Sequence, residues 1–333
     1  MREAATPTVL ALGEALLRLS APGRTRLEQA HSLRVHVGGA ELNVLIVLAQ
    51  LGMRARWVTG LPDNPLGRLI ERHARACSVE VAAQWEAGGR AGLYFVEHGA
   101  PPRPSEVLYD RASSTASRLA AGQLDWDALL SGAACLHVSG ITCGLGPGPH
   151  QAALEGLAAA RKRGVTTSFD VNYRSRLWSQ QEARPRLLEA LGTTDVLFAS
   201  PHDVELLLGE PGSAPGSPTD RAARLRDAHG LGVVVLSGRE YAGHDTVRTS
   251  ATAVAEAVVK GEPCEAQVID AFGAGDAGAA GFLAAYLTGQ PLEAAVAQAA
   301  RLAALAHTVE GDALLLRAQD RDAGYGEGRR IMR

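Results

Sequence analysis

The chain of 333 residues is short of the features that direct a protein to a membrane, a nucleic acid or an oxidising compartment. No apolar run reaches the roughly 18 residues that a spanning helix needs. The opening stretch MREAATPTVLALGEALLRLS has an apolar patch, but Glu14 and Arg18 break it and no cleavage-like site follows. We read a first strand there, Thr8 to Leu12, and not a signal peptide. A positive field is missing too. The formal net charge is -3, so no basic footprint points to nucleic acid or anionic lipid, and Arg161-Lys162-Arg163 reads as a solvated helix end. Cysteine is scarce: Cys77, Cys135, Cys143 and Cys264 make four, none at metal-type spacing, the usage of reduced, mostly buried thiols in a cytoplasmic protein. Neither a GxxxxGK[ST] loop nor a protein-kinase glycine loop is present, so a nucleotide site would have to be of another kind. Internal repeats are also lacking.

What is there is the composition of a globular protein, 46% hydrophobic and 21% charged, with length enough for a large core in one or two domains. Short apolar runs (TVLAL, ARWVTG, CLHVSG, TTSFDV, DVLFAS, GVVVLSG) alternate with helical stretches at 40–52, 150–164 and 219–230. That rhythm predicts a mostly parallel sheet covered by helices on both faces. Residues 15–36 and 88–112 interrupt it with polar, β-like runs and a PPRP turn, and read as a small accessory sheet inserted in a single α/β unit. PGSAPGSP (211–218) reads as a surface loop, and the charged, Gly-rich tail after Leu316 as poorly ordered. GLGPGPH, from Gly144 onward, departs from a dinucleotide loop in its prolines and spacing and reads as a plain loop.

Four stretches carry chemistry. In VIDAFGAGDAGAAGFLAAYL (268–287), Gly273 and Gly275 permit a tight turn and close approach of a ligand. The helix that follows aims free N–H groups at whatever sits there. Asp276 at its start suits proton abstraction from a hydroxyl beside a developing phosphate charge; the plainer alternative is an Asp cap after a Gly turn. In VGGAELNVLIVLAQLG (37–52) the exposed backbone of Gly38 and Gly39 and the Asn43 amide can bind sugar hydroxyls. In SFDVNYRSRLWS (168–179) a strand ends at Asp170, and Asn172, Tyr173 and Arg174 follow at its carboxyl end, where open α/β sheets bind ligands. Arg174 is either a phosphate or carboxylate clamp or a surface ion pair. Tyr94 and Arg111, on the predicted accessory strands, either read an acidic sugar or are half-buried strand residues.

Taken together, these stretches resemble the ribokinase-like sugar kinases, the phosphofructokinase-B family, over roughly residues 8–316. The early GGxxxN signature is matched by Gly38, Gly39 and Asn43, and the late DxxGAGD signature by Asp270 and Gly273 to Asp276. The resemblance implies a three-layer α/β fold with a β-sheet lid. It also implies Asp276 as the base, and Gly273, Ala274 and Gly275 as the hole for the transferred phosphoryl group. GGAELN, LPDNPLG, GLYFVEHGAPPRPSEVLYDRA, DVNYRSRLWS and HTVEGD are similar to segments of the 2-keto-3-deoxygluconate kinases. That subgroup implies phosphorylation of a sugar acid at its 6-hydroxyl, with substrate contacts from Gly38, Gly39, Asn43, Tyr94, Arg111 and Arg174. ATP and Mg²⁺ are the implied cofactors, with a monovalent cation as a further one. Ser200, Ser237, Gly238, Gly273 and Gly275 are the candidate nucleotide neighbours; Asp203 and Asp270 are the candidate metal residues, Asp270 being either structural, fixing the turn, or metal-proximal. A homodimer through the lid is the implied assembly. There are departures: Ser200 and Asp203 stand for the family's Asn-x-x-Glu, Ala271 for Thr and Gly278 for Phe. A kinase of a neutral sugar or nucleoside, or a silent sugar-binding paralogue, are the competing readings.

Overall fold

The computed structural model describes residues 6–210, 216–243, 245–317 and 320. The tail beyond these, and residues 211–215 of the predicted surface loop, lie outside the described residues. In chain order the strands are β1 (Thr8–Leu12), β2 (Leu16–Ser20), β3 (Arg34–Gly38), β4 (Arg54–Pro62), β5 (Val79–Glu86), β6 (Leu93–Glu97) and β7 (Glu106–Asp110). They continue with β8 (Ala133–Ser139), β9 (Thr166–Asp170), β10 (Val196–Ala199), β11 (Val233–Tyr241), β12 (Thr246–Val254), β13 (Val258–Lys260) and β14 (Cys264–Gln267).

Ten of them form one sheet in the order β13-β12-β11-β10-β9-β8-β1-β4-β5, with β14 pairing β12. From β5 to β11 every pairing is parallel; β12, β13 and β14 join antiparallel. Because helices cover both faces, the central strands are largely buried on both sides and alternate residues feed opposite cores. In β1, Val9 and Ala11 enter one cluster with the helices Ala40–Gln50, Ala274–Leu287 and Leu292–Ala306. Leu10 and Leu12 enter the other, with Pro147–Lys162, Gln180–Leu191 and Pro218–His229. β11 splits the same way, Val233 and Val235 against Val234 and Leu236.

The remaining four strands make the separate sheet β3-β2-β6-β7, where the interruptions at 15–36 and 88–112 were expected to place it. β3 runs on to Gly38 and so delivers the Gly-Gly turn directly from this lid to the helix Ala40–Gln50. Two readings need correction. GLGPGPH is no plain loop: Gly144 ends one short helix and Pro147 is the first residue of Pro147–Lys162, where its missing N–H costs nothing. The strand read as GVVVLSG continues to Tyr241 and turns into a hairpin with β12.

Register sets the site. Val138 lies opposite Leu12, Ser139 opposite Asp170, Asp170 opposite Phe198, and Ala199 opposite Leu236. The carboxyl ends of β1, β8, β9, β10 and the parallel part of β11 therefore end in one row, and the segments that leave them share one edge.

Candidate active site

The late glycine turn faces that edge. Gly273 has φ +71°, and a Cβ on it would lie 1.7 Å from the Asp312 carbonyl oxygen, so the position admits only glycine. The helix Ala274–Leu287 starts there with no side chain capping it, which leaves its first N–H groups for a ligand. A Cβ on Gly275 would meet nothing within 4 Å, so open space lies directly over the turn. Asp276 is in the first turn of the helix and only 8% exposed. Its Oδ2 accepts a hydrogen bond from Asn43 Nδ2 at 2.7 Å. Burial pushes its pKa up to about 6, against the pull of Asn43 and Arg174. The result is a carboxylate that is ionised at neutral pH yet able to take a proton.

Opposite lies the lid. Gly38 and Gly39 bring backbone into contact with it: a Cβ on Gly38 would lie 2.5 Å from Asp312 Oδ1 and 2.8 Å from the Tyr94 hydroxyl, and one on Gly39 2.3 Å from the Glu14 carbonyl. Tyr94 of β6 donates its hydroxyl to Asp312. Arg111 pairs with Glu14, its Nε donating to Oε2 at 3.0 Å, and Ser114 donates to the other Glu14 oxygen. Arg18 of β2 is fully buried and spans Asp270 at 2.7 Å and Asp312 at 3.1 Å.

The row of strand ends supplies the third wall. Asn172 follows β9 with φ +39°, its backbone N–H and its side chain both donating to Asp170. Burial, and then the neighbouring Asp276 and Asp203 charges, push Asp170 well above the usual carboxylate range, while Arg174 draws it back. Ser200 and Asp203 cap the helix Pro201–Leu208 reciprocally: the Ser200 backbone and hydroxyl both donate to Asp203 Oδ2. Ser237 and Gly238 lie just past Leu236, the last β11 residue paired with β10, where only the antiparallel pairing with β12 continues.

These walls enclose one cavity of about 820 Å³, the size of a small-molecule site. Gly38, Gly39, Asn43, Tyr94, Arg111 and Arg174 line it. So do Ser200, Asp203, Ser237 and Gly238, and the turn from Gly273 to Asp276. Asp270 does not. Its carboxylate is filled by Arg18 and by the backbone N–H groups of Ala271 (2.8 Å), Phe272 (3.4 Å) and Gly311 (3.1 Å), so it shapes the turn and has no oxygen to turn toward a metal. Sequence reasoning passed over Arg18, Glu14 and Asp312. Asp312 had a signal, as the last residue of the HTVEGD segment; Arg18 and Glu14, met as charges breaking an apolar patch, had none that named a partner.

Residues 6–318 match the family model described as pfkB family carbohydrate kinase. The chain belongs to the pfkB family of carbohydrate kinases. This pfkB kinase is 36% identical over 307 residues to the 2-dehydro-3-deoxygalactonokinase of Haloferax volcanii, covering 92% of this chain and 93% of that protein. It is 31% identical over 309 residues to the 2-dehydro-3-deoxygluconokinase of Thermoproteus tenax, covering 92% and 90%. Among solved structures, the 2-dehydro-3-deoxygluconokinase of Thermotoga maritima superposes with a TM-score of 0.87 at 35% identity, over 93% of this chain and 96% of that one. The fold of this pfkB kinase is thus the ribokinase-like one, and these three relatives are named as kinases of 2-dehydro-3-deoxy sugar acids. Among the described residues no helix is long and apolar enough to cross a membrane.

Proposed function

We propose that this kinase transfers the terminal phosphoryl group of ATP to the 6-hydroxyl of 2-keto-3-deoxygluconate, giving 2-keto-3-deoxy-6-phosphogluconate. One observation carries the reaction type: a buried carboxylate with its pKa raised to about 6 sits in the first turn of an uncapped helix, at an open glycine turn. In this reading Asp276 takes the proton as the acceptor oxygen attacks the γ-phosphorus. The bond to the bridging oxygen breaks and ADP leaves, while the N–H groups of Ala274 and Gly275 hold the charge of the transferred group. Ser237 and Gly238 flank the nucleotide.

The acid end of the sugar is assigned to Arg111, and Arg174, whose charge acts on Asp276 and Asp170, to the phosphate side; both are at the cavity wall. The gluconate form is proposed from the names of the Thermoproteus and Thermotoga relatives, and the Haloferax relative names the galactonate epimer as its rival. Among the described residues no cluster of three or more His, Cys, Asp or Glu forms a cage for a metal. Mg²⁺ needs no such cage, since it binds through one or two carboxylates plus substrate phosphates. Asp203 and Asp170, crowded like charges on the cavity wall, fit that role. Bound there with ATP, Mg²⁺ supplies charge neutralisation at the phosphates. A second copy is proposed against the lid edges, where Val35, Leu108 and Tyr109 are exposed; sedimentation at micromolar concentration reads it, and a monomer rejects it.

The test is ADP release with Mg-ATP over 2-keto-3-deoxygluconate, its galactonate epimer, gluconate, fructose, ribose and adenosine. Turnover of the keto-deoxy acids with a clear epimer preference is expected. Preference for fructose, ribose or adenosine would overturn the acid assignment and favour a neutral-sugar or nucleoside kinase. Sugar-dependent thermal stabilisation without any turnover would make the protein a silent binder.

A further inference from the structure

A tyrosine hydroxyl has one proton to give and lone pairs to receive with. At Tyr94 the proton is already committed, donated in a hydrogen bond to Oδ1 of Asp312. Asp312 is held as the acceptor by Arg18, whose Nη1 donates to its other oxygen at 3.1 Å. Arg18 is pinned in turn by Asp270 at 2.7 Å. The Tyr94 ring is fixed as well, stacked on Tyr109 at 5.6 Å and tilted against Phe272 at 6.1 Å between centroids. Burial, reinforced by the Asp312 charge, pushes the hydroxyl's pKa up, so it keeps its proton. Yet Tyr94 and Asp312 both line the cavity, beside Gly38.

We propose that Asp312 is a positioning residue that fixes Tyr94 as a hydrogen-bond acceptor, so that Tyr94 recognises a donating hydroxyl of the sugar and not its carboxylate. The inference rests on the reading of this cavity as the sugar site. A carboxylate has no proton to offer, and a tyrosine whose proton is committed has none to lend it; the two oxygens would face each other as acceptors. The lid then divides its work. A guanidinium reads the acid end, and the Tyr94 lone pair reads a hydroxyl. Asp312 also ties this reader to the phosphoryl turn, since its own backbone carbonyl occupies the space a Gly273 side chain would need, and its carboxylate that of Gly38. One residue therefore sets the spacing between the hydroxyl reader and the turn.

The experiment compares wild type, Tyr94→Phe, Asp312→Asn and the double variant on the sugar the enzyme prefers, its monodeoxy analogues, and the analogue with the carboxylate reduced to an alcohol. A site built to bind a hydroxyl rejects the compound lacking it. Tyr94→Phe is expected to raise KM for the parent sugar about tenfold with kcat little changed, the worth of one hydrogen bond. One monodeoxy analogue should bind wild type and Tyr94→Phe alike. Asp312→Asn should raise KM for the parent too, and add little in the Phe background, because the two act through one contact. Reduction of the carboxylate should cost wild type and Tyr94→Phe the same factor. The proposal is overturned if Tyr94→Phe erases the penalty for reducing the carboxylate while every monodeoxy analogue keeps its full penalty. It is also overturned if Asp312→Asn and Tyr94→Phe act additively. Tyr94→Phe keeps the ring and every ionic partner, so it answers even if Asp312→Asn folds poorly. If wild type prefers a neutral sugar, the proposed substrate fails, and the monodeoxy series on that sugar still decides this inference.

Discussion

Along the lid wall of the cavity, Arg18 lies between Asp270 and Asp312, and Arg111 lies on Glu14. Each of these guanidinium groups meets a carboxylate within the protein, and Arg111 also faces the cavity. Across from that wall, Asp170 at the strand ends feels the charges of Asp203 and of Asp276 at the glycine turn. Burial pushes Asp170 and Asp276 up in pKa with only partial relief, from Arg174 at Asp170 and from Asn43 and Arg174 at Asp276. The first arrangement holds a shape without any ligand. The second is unfavourable until a proton, a cation or a substrate arrives, as expected of a site whose groups must change charge state during the reaction. Rigidity and reactivity have thus been given to different walls of the same cavity.

The comparison is broken most severely at Asp276. Asp276→Asn should lower kcat about 10²–10⁴-fold, the usual contribution of a general base, while sugar still stabilises the protein in a thermal scan. In wild type, activity should climb about tenfold per pH unit until about pH 6, where the base becomes ionised, and level off above it. Stability should move the other way. The raised pKa means the folded state binds a proton that the unfolded state has released, so this stabilisation is complete below the ordinary pKa of 3.8 and lost as pH rises through about 6. Asp276→Asn removes that loss, so at pH 8 the inactive variant should be more stable than wild type, by at most about 3 kcal/mol for a shift of that size. A Tm equal to or below wild type at pH 8 would show that the carboxylate is not strained.

The lid wall breaks differently. Arg18→Met should cost about 3–5 kcal/mol in chemical denaturation, because it strands two buried carboxylates. A loss under 1 kcal/mol would mean the network is not a structural one. Next in size, Arg111→Ala should raise KM for the sugar acid about ten- to a hundredfold with KM for ATP unchanged, the worth of a charged hydrogen bond. An unmoved sugar KM would remove Arg111 from the substrate set. Smallest is Arg34→Ala, whose pairing with Glu310 is exposed; its effect should stay within about 0.5 kcal/mol. These last values sharpen the contrast between paired charges inside the lid and outside it.

Much of this was legible in the sequence. The strand rhythm and the GAGD turn are local matters: a residue at positive φ must be Gly, and the acid follows within one helical turn. The residues proposed for the sugar and nucleotide sides could be named because each rides on a short motif, and the fold brings them to one cavity. Pro147 could have been read correctly, since Pro followed by an amphipathic stretch marks a helix start as well as a loop. The Arg18 network could not. Arg18 is 252 residues from Asp270 and 294 from Asp312, and no local pattern announces such pairings. For the same reason the sequence left Asp270 between a turn-fixing and a metal-proximal role, and its carboxylate, filled by Arg18 and three backbone N–H groups, favours the first.

The sequence by itself determined the layered α/β architecture and the positions of the proposed base, the turn and the glycine backbones, because periodicity, glycine conformation and helix polarity act over a few residues. Only the tertiary structure decided which charges are spent on each other and which remain for a ligand. That outcome depends on burial and on distances between segments hundreds of residues apart. It left Asp276 in the cavity with its pKa raised to about 6, and put Asp270 under Arg18 outside the cavity wall.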